Sequence, residues 1–252
     1  DHKKGKIKLD LPWNKGMTTK LGTWPIDLLF DANKKFKGFL MPKASGIELQ
    51  HITSNNFNKH PKYQSFSKIK NKLILCQRLA IVFSNFYKSG NYSNGDIKPQ
   101  NIIVDDKGFP MILDLDNLTI NNISPKSKQG TPGYMAHDYK DDIYTDYFSI
   151  AVIFYELIFG LHPYMGSSKN DKIVETQDKI NNRMFVHGRK KRNFHFIPPP
   201  HNAFNKVINK DLQMLFHQAF DLDDPKKRPN MEVWAKTLEN FILPKNIFKD
   251  TY

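Results

Sequence analysis

Near the start of the chain, the apolar and polar positions predict a pair of β-strands. Residues 25–30 and 36–41 are rich in large apolar side chains, and residues 31–35 between them supply turn-forming Asp and Asn. Pro42 and residues 43–46 then interrupt the pattern and predict a hinge or linker. The strands and the hinge together indicate a small β unit in front of a second, larger unit.

Beyond the hinge, the spacing of apolar residues becomes mostly helical. Four stretches repeat apolar residues every three or four positions, and they cover residues 67–87, 144–159, 210–220 and 231–241. The second stretch is apolar nearly all round, which predicts a helix buried on several faces. One hairpin interrupts the helices, with strands at 101–104 and 111–113 around the turn residues 105–108.

These elements predict an α+β fold with a mostly helical large unit. We assign residues 1–42 to a reduced β unit and residues 43–252 to the helical unit. Residues 117–133 and 165–202 are polar, contain Gly and Pro, and are predicted to be long loops. Loops of this length inside a compact domain are usually functional or disordered.

The charge pattern adds one candidate interaction surface. The net charge is +13, from 38 Lys and Arg against 25 Asp and Glu, and most lysines are scattered. One dense cluster contains Arg189, Lys190, Lys191 and Arg192. A solvated basic loop explains this cluster, and a contact with an acidic partner or with nucleic acid is the alternative.

The single cysteine and the lack of long apolar runs bear on the environment. Cys76 lies in a helical apolar pattern that predicts burial, and one cysteine excludes an internal disulfide and a cysteine-rich metal site. No run of about 18 uncharged apolar residues occurs, and residues 1–6 lack signal-peptide character. We therefore expect no membrane span, a reducing compartment and a cytoplasmic location.

Three polar residues lie at the two ends of the predicted hairpin. Asp96 precedes the hairpin, Asn101 enters it and Asp114 leaves it. Because the two ends of a tight hairpin meet, the Asn101 and Asp114 side chains are predicted to converge. An amide oxygen and a carboxylate are hard ligands of the kind that Mg²⁺ takes beside phosphates. Asp96, on the loop leading in, can accept a proton from a hydroxyl group.

The same residues resemble the catalytic core of the protein kinase superfamily. Its catalytic loop is matched by Asp96-Ile97-Lys98-Pro99-Gln100-Asn101, and its metal-binding aspartate by Asp114. The resemblance implies that Asp96 is the catalytic base and that Asn101 and Asp114 hold Mg²⁺. It also implies that Lys98 neutralises the transferred phosphate, as in serine/threonine kinases, so that Lys98 and Asn101 contact bound nucleotide. The implied cofactors are ATP and Mg²⁺, and the implied substrate is a protein.

Further matches follow in the order of the family. By this resemblance, Thr131 hydrogen-bonds Asp96 and Lys98 and shapes the site for the acceptor, and Asp146 caps the backbone of the catalytic loop. Arg228 is implied to pair with Asp138, which stands at the position of the family's conserved acid after the activation segment.

The predicted hinge fits the family as well. By alignment, Met41 stands at the gatekeeper position and the Ala44 backbone meets adenine, although ordinary packing also explains both residues. Residues 38–43, 114–116 and 198–200 are similar to a bacterial branch of kinases that are sometimes joined to helix-hairpin-helix modules.

The residues before the hinge depart from the family pattern. Residues 1–42 contain no Gly-rich phosphate loop, no V-A-I-K lysine and no glutamate. Three explanations fit this departure. The chain begins inside the small lobe, or further residues precede those given, or the lobe has degenerated. A pseudokinase that binds a partner is therefore the alternative to an active kinase. A small-molecule kinase and a nucleic-acid-binding module are further hypotheses.

Overall fold

The helices form the body of an α+β fold, as the apolar spacing predicts. The computed structural model describes residues 22–23, 27–56, 60–115, 118–121, 123, 130–140 and 142–243. Within these ranges the α-helices are α1 (Gln50–Thr53), α2 (Ile69–Lys88), α3 (Ile143–Phe159), α4 (Thr176–Asn181), α5 (Phe204–Val207), α6 (Lys210–Phe220) and α7 (Met231–Ile242).

The strands are short and lie in four small antiparallel groups of the described chain. They are β1 (Asp27–Phe30), β2 (Phe36–Leu40), β3 (Ile47–Glu48), β4 (Tyr92–Ser93), β5 (Ile102–Val104), β6 (Pro110–Ile112), β7 (Thr119–Ile120), β8 (Ser167–Ser168) and β9 (Phe194–Phe196). The sheet orders are β1-β2, β3-β5-β6, β4-β7 and β8-β9. The β4-β7 and β5-β6 pairs flank the loop at residues 94–101, which carries the predicted chemistry.

Helix α3 is the central element of the hydrophobic core. Its residues are buried on nearly all sides, as the uniform apolar pattern predicts. It begins at a capped turn, where the Asp142 carboxylate accepts a hydrogen bond from the Thr145 N–H at 3.0 Å. It ends at Gly160, whose φ of +71° is the left-handed conformation that glycine adopts without steric cost.

The last helix closes this core with an aromatic cluster. Asn230 caps α7 by accepting a hydrogen bond from the Val233 N–H at 2.9 Å. Trp234, fully buried on α7, packs edge-on against Phe154 of α3 at 5.2 Å and against Phe216 of α6 at 5.0 Å between ring centroids. One aromatic side chain therefore packs against both of the other helices.

The predicted hinge leads directly into the sheet that supports the candidate site. Strand β3 pairs with β5 through Ile47 opposite Val104. Just before β3, Gly46 has a φ of +144°, and a Cβ at this position would overlap the Val104 carbonyl oxygen. Only glycine allows this approach, so the chain leaving the hinge is held against β5.

The structure adds short elements to both predicted loops and leaves one prediction untested. Strand β7 lies within residues 117–133. Residues 165–202, predicted to be a long loop, contain α4 and the β8-β9 pair, which are too short to produce a clear period. The division at residue 42 remains a prediction. Part of residues 1–42 lies outside the described ranges, and the Thr23 N–H donates to the Ile112 carbonyl of β6 at 3.0 Å.

Cys76 is fully buried on α2, as predicted, and burial raises the pKa of its thiol. Helices with the length and apolar composition needed to cross a bilayer are absent from the described part of the chain.

A buried tyrosine and two histidines form a hydrogen-bonded chain whose proton order follows from its geometry. His201 Nε2 lies 3.1 Å from the Met165 carbonyl oxygen, which can only accept, so Nε2 carries the proton. His201 Nδ1 therefore accepts from the Tyr155 hydroxyl at 2.7 Å. The Tyr155 oxygen in turn accepts from His187 Nε2 at 2.9 Å. Burial lowers the pKa of both histidines, that of His187 to about 3.

We expect acid to destabilise the fold below about pH 6.5, where unfolded histidines take up protons. Burial lowers the pKa of His162 to about 4, and the pKa values of His187 and His201 are lowered in the same direction. These groups stay neutral in the native protein, so stability is lost as the pH falls. Glu156 acts oppositely, because burial raises its pKa from 4.5 to about 7 and the native state holds a proton that the unfolded chain releases.

The three histidines outnumber this glutamate, so lowering the pH should decrease the free energy of unfolding overall. Each extra proton bound by the unfolded chain contributes about 1.4 kcal/mol per pH unit at most. Urea unfolding at a series of pH values between about 5 and 7 measures the slope. A variant with His162→Gln should show a shallower slope, and unchanged stability across the series would contradict the expectation.

Candidate active site

The backbone of the 94–101 loop is held by a buried carboxylate in the first turn of α3. Asp146 is fully buried and accepts hydrogen bonds from the N–H groups of Asn94 and Gly95, each at 2.7 Å. It also accepts a hydrogen bond from the Tyr87 hydroxyl at 3.0 Å. Burial, and to a lesser extent the charge of Asp146, raises the pKa of Tyr87. Gly95 has a φ of +73°, which glycine adopts at little cost. The loop is thereby fixed to the helical core.

Two further residues position the loop, and sequence reasoning gave neither of them this role. The Asn94 side-chain oxygen accepts from the Asp96 N–H at 3.0 Å, and the Tyr139 hydroxyl donates to the Gly95 carbonyl at 3.3 Å. Asparagine side chains often accept a hydrogen bond from the backbone N–H two residues later in a turn, so this role of Asn94 could have been predicted from the sequence. Tyr139 lies far along the chain and gave no comparable signal.

Asp96, Lys98 and Thr131 form a closed triangle of hydrogen bonds. The Thr131 hydroxyl donates to Asp96 Oδ1 at 2.5 Å and accepts from Lys98 Nζ at 2.9 Å. Lys98 Nζ also donates to Asp96 Oδ2 at 2.8 Å. The Asp96 side chain is 7% exposed and that of Lys98 is 23% exposed. Partial burial strengthens the attraction between their charges and restricts both side chains to one geometry.

Asn101 joins this group through its amide. Its Nδ2 donates to the Asp96 carbonyl at 3.2 Å and approaches Asp96 Oδ2 at 3.5 Å. Since the nitrogen faces Asp96, the planar amide directs its oxygen to the other side. The backbone carbonyl of Asn101 accepts a hydrogen bond from the Leu113 N–H at 2.7 Å. This bond places Asp114 beside Asn101 at the open end of the hairpin.

Asp114 has two features of a ligand-binding residue. It is exposed, and its φ of +50° lies in the left-handed region that non-glycine residues seldom occupy. Strained backbone of this kind costs about 1–3 kcal/mol and concentrates at functional sites. The Asp114 carboxylate and the amide oxygen of Asn101 are hard donors suited to Mg²⁺. The donor set at the end of the hairpin therefore fits the metal that the sequence implied.

The two predicted hinge residues lie in the segment between β2 and β3. Met41 is 50% exposed and Ala44 is partly buried. Hydrogen bonds between either residue and the Asp96 triangle are absent from the described structure. The structure thus brings together Asp96, Lys98, Thr131 and Asn101, sets Asp114 next to Asn101, and leaves Met41 and Ala44 as separate predictions.

The segment after Thr131 is anchored on its other side by a glutamine that sequence reasoning missed. Gln177 of α4 accepts from the Gly133 N–H at 2.9 Å and donates to the Met135 carbonyl at 3.1 Å. Ser149 of α3 donates to the Tyr134 carbonyl at 2.7 Å. These side chains bond to main-chain groups of a segment without regular structure, so Thr131 approaches Asp96 on a supported backbone.

An ion pair fastens the end of the same segment, in agreement with the pairing that the resemblance implied. Arg228 Nη2 contacts Asp138 Oδ1 at 2.6 Å, and the Arg228 side chain is only 4% exposed. Arg228 Nη1 also donates to the Tyr144 carbonyl at 3.1 Å, and the guanidinium lies 5.4 Å from the ring centre of Phe148. Such multiple contacts compensate a buried arginine for the loss of water.

The chain is similar to known proteins over most of its length. The family model described as "Protein kinase domain" matches residues 49–238. Protein kinase YegI of Escherichia coli strain K12 is 22% identical over 224 residues, covering 82% of this chain and 34% of that protein. A Clostridium perfringens protein named "Probable serine/threonine-protein kinase" is 28% identical over 179 residues, covering 61% and 23%. The chain thus spans about a third or less of the length of these relatives.

We expect Asp146→Asn to destabilise the protein by about 2–4 kcal/mol. The substitution replaces one carboxylate oxygen with an NH₂ group, so a backbone N–H that donated to this oxygen loses its charged acceptor and faces another donor. Asp142→Asn is the matched control in the same helical turn. Asparagine caps helices as well as aspartate does, so this change should stay within about 0.5 kcal/mol. Urea unfolding measures both variants, and equal effects would argue against the anchoring role of Asp146.

Proposed function

Because the chain belongs to the protein kinase family, we propose that it transfers the γ-phosphoryl group of ATP to serine or threonine hydroxyls of a protein, with Mg²⁺ as cofactor. The observation that carries this proposal is the triangle of Asp96, Lys98 and Thr131, with contacts of 2.5, 2.8 and 2.9 Å. It combines a proton acceptor, a positive charge and a hydroxyl at one point of the surface.

In the proposed reaction Asp96 is the base. The acceptor hydroxyl gives its proton to the Asp96 carboxylate while its oxygen forms a bond to the γ-phosphorus. The bond from the γ-phosphorus to the β–γ bridging oxygen breaks, and ADP leaves with that electron pair. A carboxylate has about four acceptor positions, and Thr131, Lys98 and Asn101 use three in the described structure, which leaves one for the substrate hydroxyl.

Lys98 and Thr131 support this base in different ways. The Lys98 ammonium lies next to the Asp96 carboxylate, where it can balance the charge of the phosphoryl group during transfer. Thr131 holds the Asp96 carboxylate in one orientation and lines the site for the acceptor. A lysine two residues after the base is typical of serine/threonine kinases, and this position supports the assignment of the acceptor.

Asn101 and Asp114 are the residues that would hold Mg²⁺. When bound, the ion neutralises phosphate charge and orients the phosphates. The hydrogen bond from the Leu113 N–H to the Asn101 carbonyl keeps the two residues together at the end of the hairpin. Lys98 and Asn101 would also contact the phosphates, since both border Asp96.

The adenine end of the nucleotide is assigned to the hinge. Ala44 would meet adenine with its backbone, and Met41 would lie behind it. Pro42 has no N–H and can contribute only its carbonyl oxygen. The close packing of Gly46 against Val104 supports a hinge with a fixed exit, which is what a specific backbone contact to a base requires.

We expect Asp96→Asn to reduce kcat for phosphoryl transfer by about 10²–10⁴-fold, because asparagine cannot accept the hydroxyl proton. Transfer from ATP labelled at the γ-phosphate to serine and threonine residues of protein measures the effect. Asp106→Asn is the matched control, since Asp106 is an exposed carboxylate in the turn of the β5-β6 hairpin. Full activity of the Asp96 variant would refute its role. An inactive wild-type chain that still binds ATP would instead be a pseudokinase.

We expect Asp114→Asn to remove most of the increase in melting temperature that ATP and Mg²⁺ together give the wild-type chain. The amide is a neutral and weaker ligand, so the nucleotide loses its metal-mediated contact. Thermal unfolding with ATP, with and without Mg²⁺, checks this expectation, and Asp106→Asn again serves as the control. An unchanged Mg²⁺-dependent shift would place the metal elsewhere.

A further inference from the structure

A groove with a strongly basic lining lies outside the candidate active site, in the segment between α4 and α5. Its volume is about 620 Å³, and it is lined by Arg189, Lys191, Arg192, Phe194, His195 and Ile197. We call these residues the basic groove. It shares no residue with the Asp96 triangle or with the hairpin that carries Asn101 and Asp114.

One end of the basic groove is already neutralised, and the rest is not. Arg189 contacts Asp221 and Asp223, and its hydrogen bond to Asp223 helps to lower the pKa of that carboxyl to about 2. Lys191 and Arg192 are exposed, and the described structure gives their side chains no hydrogen bond or ion pair. Their charges are therefore available to a ligand.

The wall of the basic groove is fixed before any ligand binds. A Cβ on Gly188 would lie 2.6 Å from Asp221 Oδ1, so glycine allows this loop to pack directly on the carboxylate. The Arg189 N–H donates to the same oxygen at 3.1 Å. Lys190 Nζ donates to the Asn182 carbonyl at 2.9 Å and ties the loop to the end of α4. A preformed wall reduces the entropy that binding must overcome.

The floor is fixed in the same way by the β8-β9 pair. Phe194 is buried, and a Cβ on Gly166 would lie 2.7 Å from its ring. The Lys169 N–H donates to the Asn193 carbonyl at 2.9 Å, directly before Phe194. Phe194 and the partly buried Ile197 give the groove an apolar component between its charges.

We propose that the basic groove docks an acidic segment of a protein partner, in which carboxylates meet Lys191 and Arg192 and an apolar side chain contacts Ile197. Charge complementarity argues for acidic residues at this end. At the other end Arg183 and Arg189 pair with Asp221 and Asp223, so this neutral end gives no attraction to a nucleic-acid backbone that carries a charge at every step. A peptide can place its carboxylates at one end only, so it fits the polarity of the groove better.

Fluorescence anisotropy with a labelled peptide of glutamates around one leucine tests the proposal on the full chain. We expect the double substitution Lys191→Glu with Arg192→Glu to raise Kd for this peptide by at least about tenfold. It removes two attractive charges and adds two repulsive ones. The matched control is Lys68→Glu with Lys70→Glu, exposed lysines at the start of α2 with the same change in net charge. This control should stay within about twofold of wild type.

Two further binding measurements distinguish binding in the basic groove from binding at the active site or through net charge alone. Replacing the peptide's leucine with serine should weaken binding, because the apolar contact is lost, whereas Asp96→Asn should not change it. The proposal is overturned if the peptide fails to bind, if both double variants weaken binding equally, or if the leucine has no effect. A single-stranded DNA of similar length that binds more tightly through Lys191 and Arg192 would also overturn it. Far-ultraviolet circular dichroism confirms that each variant is folded.

Discussion

The buried carboxylate of Asp146 is the interaction on which the geometry of the site depends. A charged group without water is costly unless hydrogen bonds compensate it, and here three donors converge on one side chain. Two of these donors are backbone N–H groups that a loop without regular structure would otherwise leave unpaired. The same contact therefore satisfies the carboxylate and fixes the loop that presents Asp96.

Helix α3 extends this constraint to the other half of the site. Its first turn holds the 94–101 loop, and Ser149 in the next turn binds the backbone of Tyr134. The pair between Asp138 and Arg228 closes the segment at its far end, next to the start of α3. Thr131 can meet Asp96 within hydrogen-bond distance because both of their segments are fastened to one rigid helix that is buried on nearly all sides.

The residues proposed to bind Mg²⁺ and the basic groove follow a related rule. Asp114 keeps an unfavourable backbone conformation because the β5-β6 hairpin determines the position of its neighbours. The exposed charges of Lys191 and Arg192 stand on a loop held by Asp221 and by the end of α4. In both places, side chains that gain little from folding are held by a backbone that is anchored elsewhere, which leaves them available for ligands.

The sequence by itself determined the helical body of this protein and the order of its candidate site. Helices α2, α3, α6 and α7 lie within two residues of their predicted limits, because a buried face repeats every three to four residues. Asp96, Asn101 and Asp114 could be proposed because they flank one short hairpin. Their catalytic and metal-binding roles, and those of Met41 and Ala44, remain predictions for experiment.

Only the tertiary structure decided which distant groups meet. The family resemblance implied that Thr131 meets Asp96, but nothing in the sequence indicated two further contacts that span 44 positions each. These are the hydrogen bonds of Tyr139 to Gly95 and of Gly133 to Gln177. The strands β8 and β9 are two and three residues long, too short for a period to be recognised. The physical reason is that local patterns report which face of a segment avoids water. Contacts between segments depend instead on how the packed helices bring their ends together.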